Sequence, residues 1–419
     1  MTAGSRGDVA PYTGLGHALV RAGHQVTLVT HAGFAPLAEA TGMGFHALPV
    51  DPRAELRSAR GQALHRSTTG AGKLVRVIAL ARSAVARTVD DLLQAARTSD
   101  VLLLSSSLGP LGHTIAEGLG LPSIGVYLQP LATTGDFAPP VTGTRSWGPL
   151  GNRLAGQAVN AAVDRIFADS ARALQRRLDL SRTRPRAARR ARERQDWPIF
   201  HGFSPLVVPR PSDWRPGLRI TGYWWPHDPP RAQLPARLQA FLSAGPPPVF
   251  VGLGSATVAD PEQLSRTVVR ALRAAGLRGV IQRGWSGLCG EGDDMITIDE
   301  VPHHLLFPHM AAAVHHAGAG TTAAALRAGI PAVPLPVQFD AAFWAARLTA
   351  LGVAPAAIPL RRLTAQALTT ALVRATTDPS CARRARALAG RIRQEDGTAP
   401  VLAAVDRLDT TGWRRARSD

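Results

Sequence analysis

Apolar residues along the first third of the chain fall into two alternating rhythms. Residues 14–22, GLGHALVRA, place apolar side chains at helical spacing, and the HQVTLVTH that follows is a continuous apolar run of buried-strand length. FAPLAEATG and FHALPV repeat the pair, and DVLLLSSS and SIGVYLQ are two further strand-length runs separated by the helical HTIAEGLG. The rhythm is lost over 205–230, where PLVVPRPSDWRPGLRITGYWWPHDPP is rich in proline and tryptophan and has no sustained period, as suits a connection between domains. It then resumes: PPVFVGLGS, GVIQRGW, MITIDEV, AAAVHHAG and PAVPLP as strands, with PEQLSRTVVRALRAAG as a helix. Strand–helix–strand alternation predicts parallel sheets covered on both faces, and 419 residues exceed one ordinary core. The expected fold is α/β, two doubly wound Rossmann-like domains facing a central cleft.

Composition narrows the function classes. At 45% hydrophobic residues and with no uncharged apolar run of membrane-spanning length, the chain reads as a soluble globular protein. MTAGSRGDV has no charged-then-apolar leader, and the two cysteines, Cys289 and Cys381, lack metal-ligand spacing, which fits a reducing cytoplasm. The net charge of +18 comes almost wholly from arginine, and aromatics, at 5%, do not interleave with the basic runs as base stacking would need. Nucleic acid is therefore not the expected partner. The densest basic run, 181–196, reads as a solvated segment that can attract anionic headgroups by charge alone.

Two glycine-rich turns carry the candidate chemistry. In AAAVHHAGAGTTAAALRAG a strand turns into a helix expected to begin near Thr321. Helix N-termini hold unpaired N–H groups and about half a positive charge, and glycines let the backbone approach a ligand, so this turn can cradle an anion with His316 as a further donor. A tightly packed turn capped by threonine is the alternative. The other turn, AGSRGDV, starts at the third residue and leaves two residues for a strand that is normally central; the expectation is that the native chain begins upstream.

Taken together, these segments resemble the nucleotide-sugar glycosyltransferases of the two-Rossmann-domain (GT-B) fold, of the bacterial antibiotic and sterol 3-β-glucosyltransferase type. The resemblance rests on GSRGDVAPYTGLGHALVRAGHQVTLVTH, on DWPIFHGFSPLVVPRPSDWRPGLRITGYWW, and on PVFVGLGSATVADPEQL, RGWSGL, VPHHLLFPHMAAAVHHAGAGTTAAALRAGIP and DAAFWAARLTALGVAP. It implies an acceptor-binding domain over 1–212, a donor-binding domain over 213–394, and a C-terminal helix of about 395–419 packed back on the first. It implies an inverting transfer of a hexose, glucose from UDP-glucose, to a hydroxyl of a hydrophobic acceptor such as a sterol or triterpenoid, with no metal and no cofactor beyond the nucleotide sugar. A natural-product transferase using a UDP- or dTDP-sugar, and a weakened homologue that only binds or activates, are the alternatives.

Carried over residue by residue, the resemblance makes Asp8 the catalytic base, with His17 or a helix N-cap role for Asp8 as the competing assignments. Ser5, Arg6 and Gly7 would share its loop. His316, Gly318, Gly320 and Thr321 would hold the diphosphate with Ser255 closing over it, Trp285 and the Val301 backbone the base, and Asp340 the sugar hydroxyls. Trp285 could equally be a buried structural residue. Two positions depart from the family pattern: Ala341 stands where glutamine is usual, leaving Gln338 as the candidate substitute, and Ala317 stands where glycine is common. Asp293 and Asp294 read as solvated. Stretches 51–89 and 129–168 would supply acceptor loops.

Overall fold

The structure is a computed structural model that describes residues 1–51, 70–227, 232–337 and 339–410. The first half contains α1 (Arg6–Arg21), β1 (Thr27–His31), α2 (Ala35–Glu39), β2 (Gly44–Leu48), α3 (Gly70–Arg97), β3 (Leu102–Leu104), α4 (Gly109–Leu119), β4 (Ser123–Tyr127), α5 (Gly148–Arg177), α6 (Pro185–Arg194), β5 (Ile199–His201) and β6 (Leu218–Ile220). β1 pairs with β2, and β3–β4–β5–β6 form a second ladder, every pair parallel.

Residues 1–3 join these two ladders. The Thr2 amide donates to the Val29 carbonyl at 3.0 Å, and the Ser105 amide donates to the Met1 carbonyl at 3.1 Å. The neighbours that a missing central strand would have left open are thus bridged by three residues, with Thr2 buried between them.

The second half contains α7 (Ala236–Ser243), β7 (Val249–Gly252), α8 (Pro261–Ala274), β8 (Gly279–Gln282), β9 (Met295–Ile298), α9 (His303–Leu306), β10 (Ala312–His315), α10 (Ala319–Ala328), β11 (Ala332–Pro334), α11 (Ala341–Ala350), α12 (Ala365–Thr377), α13 (Pro379–Ile392) and α14 (Ala399–Thr410). Its five strands run parallel in the order β11-β10-β7-β8-β9. Strand order reverses about β7, so the carboxyl ends of β7 and β10 flank the crevice where doubly wound sheets take ligands.

Two expectations are corrected. The stretch 205–230 is not wholly connection, because β6 completes the first sheet by pairing with β5; the first unit therefore runs through Ile220 rather than ending at 212. The described end of the first acceptor-side stretch lies in α3 and the second half of the other in α5, helices of 28 and 30 residues rather than loops. The basic run 181–196 is built on α6, which Arg189 ties to Asp164 of α5 at 3.1 Å. At the other end of the chain, Val401, Ala404 and Val405 of α14 pack with Val9, Tyr12 and Leu15 of α1. Residues 411–419, with most of 51–69 and Gln338, lie outside the described residues.

Candidate active site

The turn expected to cradle an anion is built from the backbone outward. His315, fully buried at the end of β10, accepts the Ala317 N–H on Nδ1 at 3.1 Å. Burial holds its pKa down to about 3, so the ring is neutral, and that bond fixes the turn. Ala317 adopts φ 61°, a left-handed conformation that costs a residue with a Cβ on the order of 1 kcal/mol. Alanine for glycine is therefore strained here rather than merely tolerated, offset by burial of its methyl beside α10 and α11. Gly318 is the N-cap of α10, which begins at Ala319 instead of near Thr321. Gly320 and Thr321 occupy the second and third helical positions, where amides have no intrahelical acceptor.

His316 lies between two glycines. A Cβ on Gly318 would stand 2.4 Å from its Nε2, and one on Gly254 would stand 2.9 Å from its Cε1. Burial lowers its pKa to about 4, so it meets a ligand as a neutral imidazole, and its Nδ1 has no partner. Gly254, at φ 56°, belongs to the loop after β7, and the Trp285 amide donates to its carbonyl at 2.9 Å. Ser255, Trp285, Val301 and His316 thus gather at the carboxyl ends of β7 to β10, Trp285 half-buried and Val301 buried.

Across the crevice, α1 opens with a reciprocal cap. Ser5 is the N-cap and Asp8 the third helical residue, so Asp8 is not the N-cap. Its Oδ2 accepts the Ser5 amide at 2.8 Å and the Ser5 hydroxyl at 2.9 Å. Gly4 makes the close approach possible: a Cβ there would fall 2.5 Å from Asp8 Oδ2, at φ 144°. A capping carboxylate would be expected to have a lowered pKa. Here burial raises it, outweighing the bonds from Ser5 and Gln129. His17 lies elsewhere, its ring tilted against that of His227 with centroids 3.9 Å apart.

The two halves meet at this point. Arg6 pairs with Glu300 at 3.4 Å, and α1 packs on α10. Asp340, the N-cap of α11, accepts the Trp344 indole N–H on Oδ2 at 2.7 Å. Burial raises its pKa first, and the charge of Asp8 raises it further, so the two carboxyls share one crevice. Ala341, the first residue of α11, is buried and carries no hydrogen-bonding side chain.

Sequence reasoning missed four neighbours. Gln129 bonds Asp8; Glu300 holds Arg6; His303 is kept near pKa 4 by burial, Arg6 and His316; and Phe339, at φ 53° and 68% exposed, stands beside Asp340. Only the neighbouring motifs EVPHH and QFDAA could have hinted at the last three. Gln129 is brought to Asp8 from 121 residues away by the sheet.

In the first half Leu131, Phe137 and Val141, with Thr133, Thr134 and Asn152, line a small cavity. Phe137 reaches Phe343 of α11, with centroids 5.2 Å apart.

Parallel sheets in both halves, with a helix N-terminus on one half and a carboxylate on the other, define a two-domain α/β architecture. Comparison with known proteins agrees. Residues 1–124 match the glycosyltransferase family 28 N-terminal domain, and residues 285–407 match the erythromycin biosynthesis protein CIII-like C-terminal domain. The chain is 31% identical over 415 residues to a sterol 3-beta-glucosyltransferase of Arabidopsis thaliana, covering 96% of this chain and 64% of that relative. A sterol 3-beta-glucosyltransferase of Candida albicans is 32% identical over 433 residues, 97% of this chain and 27% of the relative. The chain thus spans less than two thirds of these relatives' length. Among solved structures, the kitacinnamycin glycosyltransferase superposes with a TM-score of 0.72 at 19% identity, over 97% of both chains. The glycosyltransferase VinC in complex with dTDP gives 0.64 at 20% identity, over 97% of this chain and 98% of that one. The chain thus has the GT-B fold, and its two halves match domain models drawn from glycosyltransferases and antibiotic biosynthesis.

Proposed function

We propose that this protein is an inverting glycosyltransferase that moves glucose from UDP-glucose to a hydroxyl of a hydrophobic alcohol. One observation carries the reading: a carboxyl with a raised pKa, Asp8, shares a crevice with an unpaired helix N-terminus and a neutral histidine. Asp8 takes the proton of the acceptor hydroxyl as its oxygen attacks the anomeric carbon. A raised pKa makes it the stronger base for that step. The sugar–phosphate bond breaks on the opposite side, and its electron pair leaves with the diphosphate. The amides at the start of α10, the Thr321 hydroxyl and His316 then stabilise the growing negative charge. Asp340, oriented by Trp344, holds the sugar hydroxyls, and the Trp285 loop with the Val301 backbone holds the base. The sterol glucosyltransferase relatives support a sterol-like acceptor. The lack of a residue at Ala341 that could bond a hydroxyl weakens the grip on the sugar rather than on the nucleotide.

A second reading, transfer of a dTDP-sugar to a natural product, is favoured by the fold neighbour in complex with dTDP. Thermal melting with UDP, dTDP and UDP-glucose separates the two, followed by mass detection of products from a panel of hydrophobic alcohols. Stabilisation by UDP and a mass gain of one hexose support the main reading. Stabilisation by dTDP alone supports the second, and nucleotide binding without transfer or hydrolysis would leave a non-catalytic homologue. The protein is taken to work in the cytoplasm, loosely against a membrane.

A further inference from the structure

Seven large hydrophobic side chains are exposed among the described residues, and five of them lie between positions 131 and 154: Leu131, Val141, Trp147, Leu150 and Leu154. Trp147 is the N-cap of α5, and Leu150 and Leu154, 74% and 65% exposed, stand one turn apart on its outer face. The helix cannot roll to bury them. Its inner face is pinned by Asn152, which is 1% exposed, donates to the Gly135 carbonyl and accepts the Trp147 amide. Leu131 and Val141 also line a small cavity against the same helix, beside Asn152 and Gly156.

The same helix carries the basic element of this half. α6 runs back along α5, joined through Arg189 and Asp164, and exposes Arg186, Arg190 and Arg194 in one stripe at helical spacing. Exposed leucines and a tryptophan at one end of a surface, with an arginine stripe along its flank, make an interfacial surface: apolar groups enter the acyl boundary while cations meet anionic headgroups. Pairing this surface with a second copy of the same chain would bring like charges together, which is unfavourable.

We propose that the tip of α5, with α6 beside it, docks this protein on an anionic lipid bilayer. Trp147, Leu150 and Leu154 enter the headgroup–acyl boundary, and Arg186, Arg190 and Arg194 lie over the phosphates. The basic run thus acts beside an apolar anchor, not by charge alone. The docking itself needs neither donor nor acceptor, and stands apart from the glycosyltransferase reading above.

The test is co-sedimentation of the full chain with vesicles of phosphatidylcholine alone and of phosphatidylcholine mixed with phosphatidylglycerol, with no nucleotide present. Light scattering is run in parallel. The wild-type chain is expected to bind the mixed vesicles and to bind the neutral ones weakly. Leu150→Ser/Leu154→Ser should lower partitioning to both by about tenfold or more. Arg186→Gln/Arg190→Gln/Arg194→Gln should lower it only on anionic vesicles, by up to about fivefold per charge. All these substitutions lie on the surface, so unchanged melting certifies the fold. No binding by the wild type, or leucine and wild-type chains binding alike, overturns the proposal. So does a dimer that the leucine variant converts to monomer with vesicle binding intact. Because no turnover is read, a negative result here leaves the catalytic reading standing on its own assays.

Discussion

Gly318→Ala isolates the pyrophosphate grip from the fold. At φ −68° and ψ 149° the backbone of Gly318 suits alanine, so no dihedral strain is added. The whole perturbation is the new methyl, which would stand 2.4 Å from His316 Nε2, 3.1 Å from Cε1 and 3.2 Å from Cδ2. Ordinary contact begins near 3.4 Å, so the ring must retreat by roughly 1 Å, and the Gly254 backbone stands behind it. Overpacking of this kind costs about 1–3 kcal/mol in stability. A group displaced by that distance typically loses about 100-fold in catalysis. The expected outcome is a protein that folds, melts a few degrees lower, binds UDP about tenfold to 100-fold more weakly by calorimetry, and turns over correspondingly slowly. Gly390→Ala is the control. Its Cβ meets nothing within 4 Å inside α13, so it should stabilise by about 0.5–1 kcal/mol and leave UDP binding unchanged. Wild-type UDP affinity in Gly318→Ala would refute the claim that His316 must sit against this turn to hold a phosphate.

Other consequences follow from the buried titratable groups. His113, His201, His303 and His316 are held near pKa 4 and His315 near 3, all below the usual 6.5, chiefly by burial. Between those values the unfolded chain binds more protons than the folded one, so melting temperature should fall as pH drops from about 6.5 towards 4; a flat profile over that range would contradict the burial of these rings. Asp8 has the opposite sign: its raised pKa makes the folded state the better proton binder, so its charge costs stability at neutral pH. Asp8→Asn should therefore melt at or above the wild type at pH 7, an advantage that fades on acidification; a variant melting below the wild type at pH 7 would count against this. Trp344→Phe removes the N–H that orients Asp340 and should destabilise by about 1.5–3 kcal/mol. It should also weaken UDP-glucose binding while leaving UDP binding unchanged, and equal weakening of both would place Asp340 away from the sugar.

Much of this was legible in the chain because parallel strands buried on both faces are written as short apolar runs. Those over 123–129, 279–285 and 295–301 became β4, β8 and β9, shortened to the residues that pair. β5 and β6 escaped notice for a physical reason: each has three residues, and β6 sits in a proline- and tryptophan-rich stretch whose burial depends on the finished sheet. α5 was hard to see because its inner face buries Asn152, Gly156 and Ser170 beside Phe167 and Leu174, so no apolar stripe marks it. At the proposed site, motif alone named the glycine turns, the histidine and both aspartates as candidates. What motif could not supply was environment. That Asp8 is the third helical residue, that burial outweighs its hydrogen bonds, and that Asp340 feels its charge all depend on two domains closing over one crevice.

The most direct measurement is product formation by Asp8→Asn with UDP-glucose and an accepted alcohol, read by mass beside a UDP titration of the same sample. Loss of the base should lower turnover by about 100-fold to 10,000-fold while UDP binds as it does to the wild type. Undiminished hexose transfer by that variant would contradict the account.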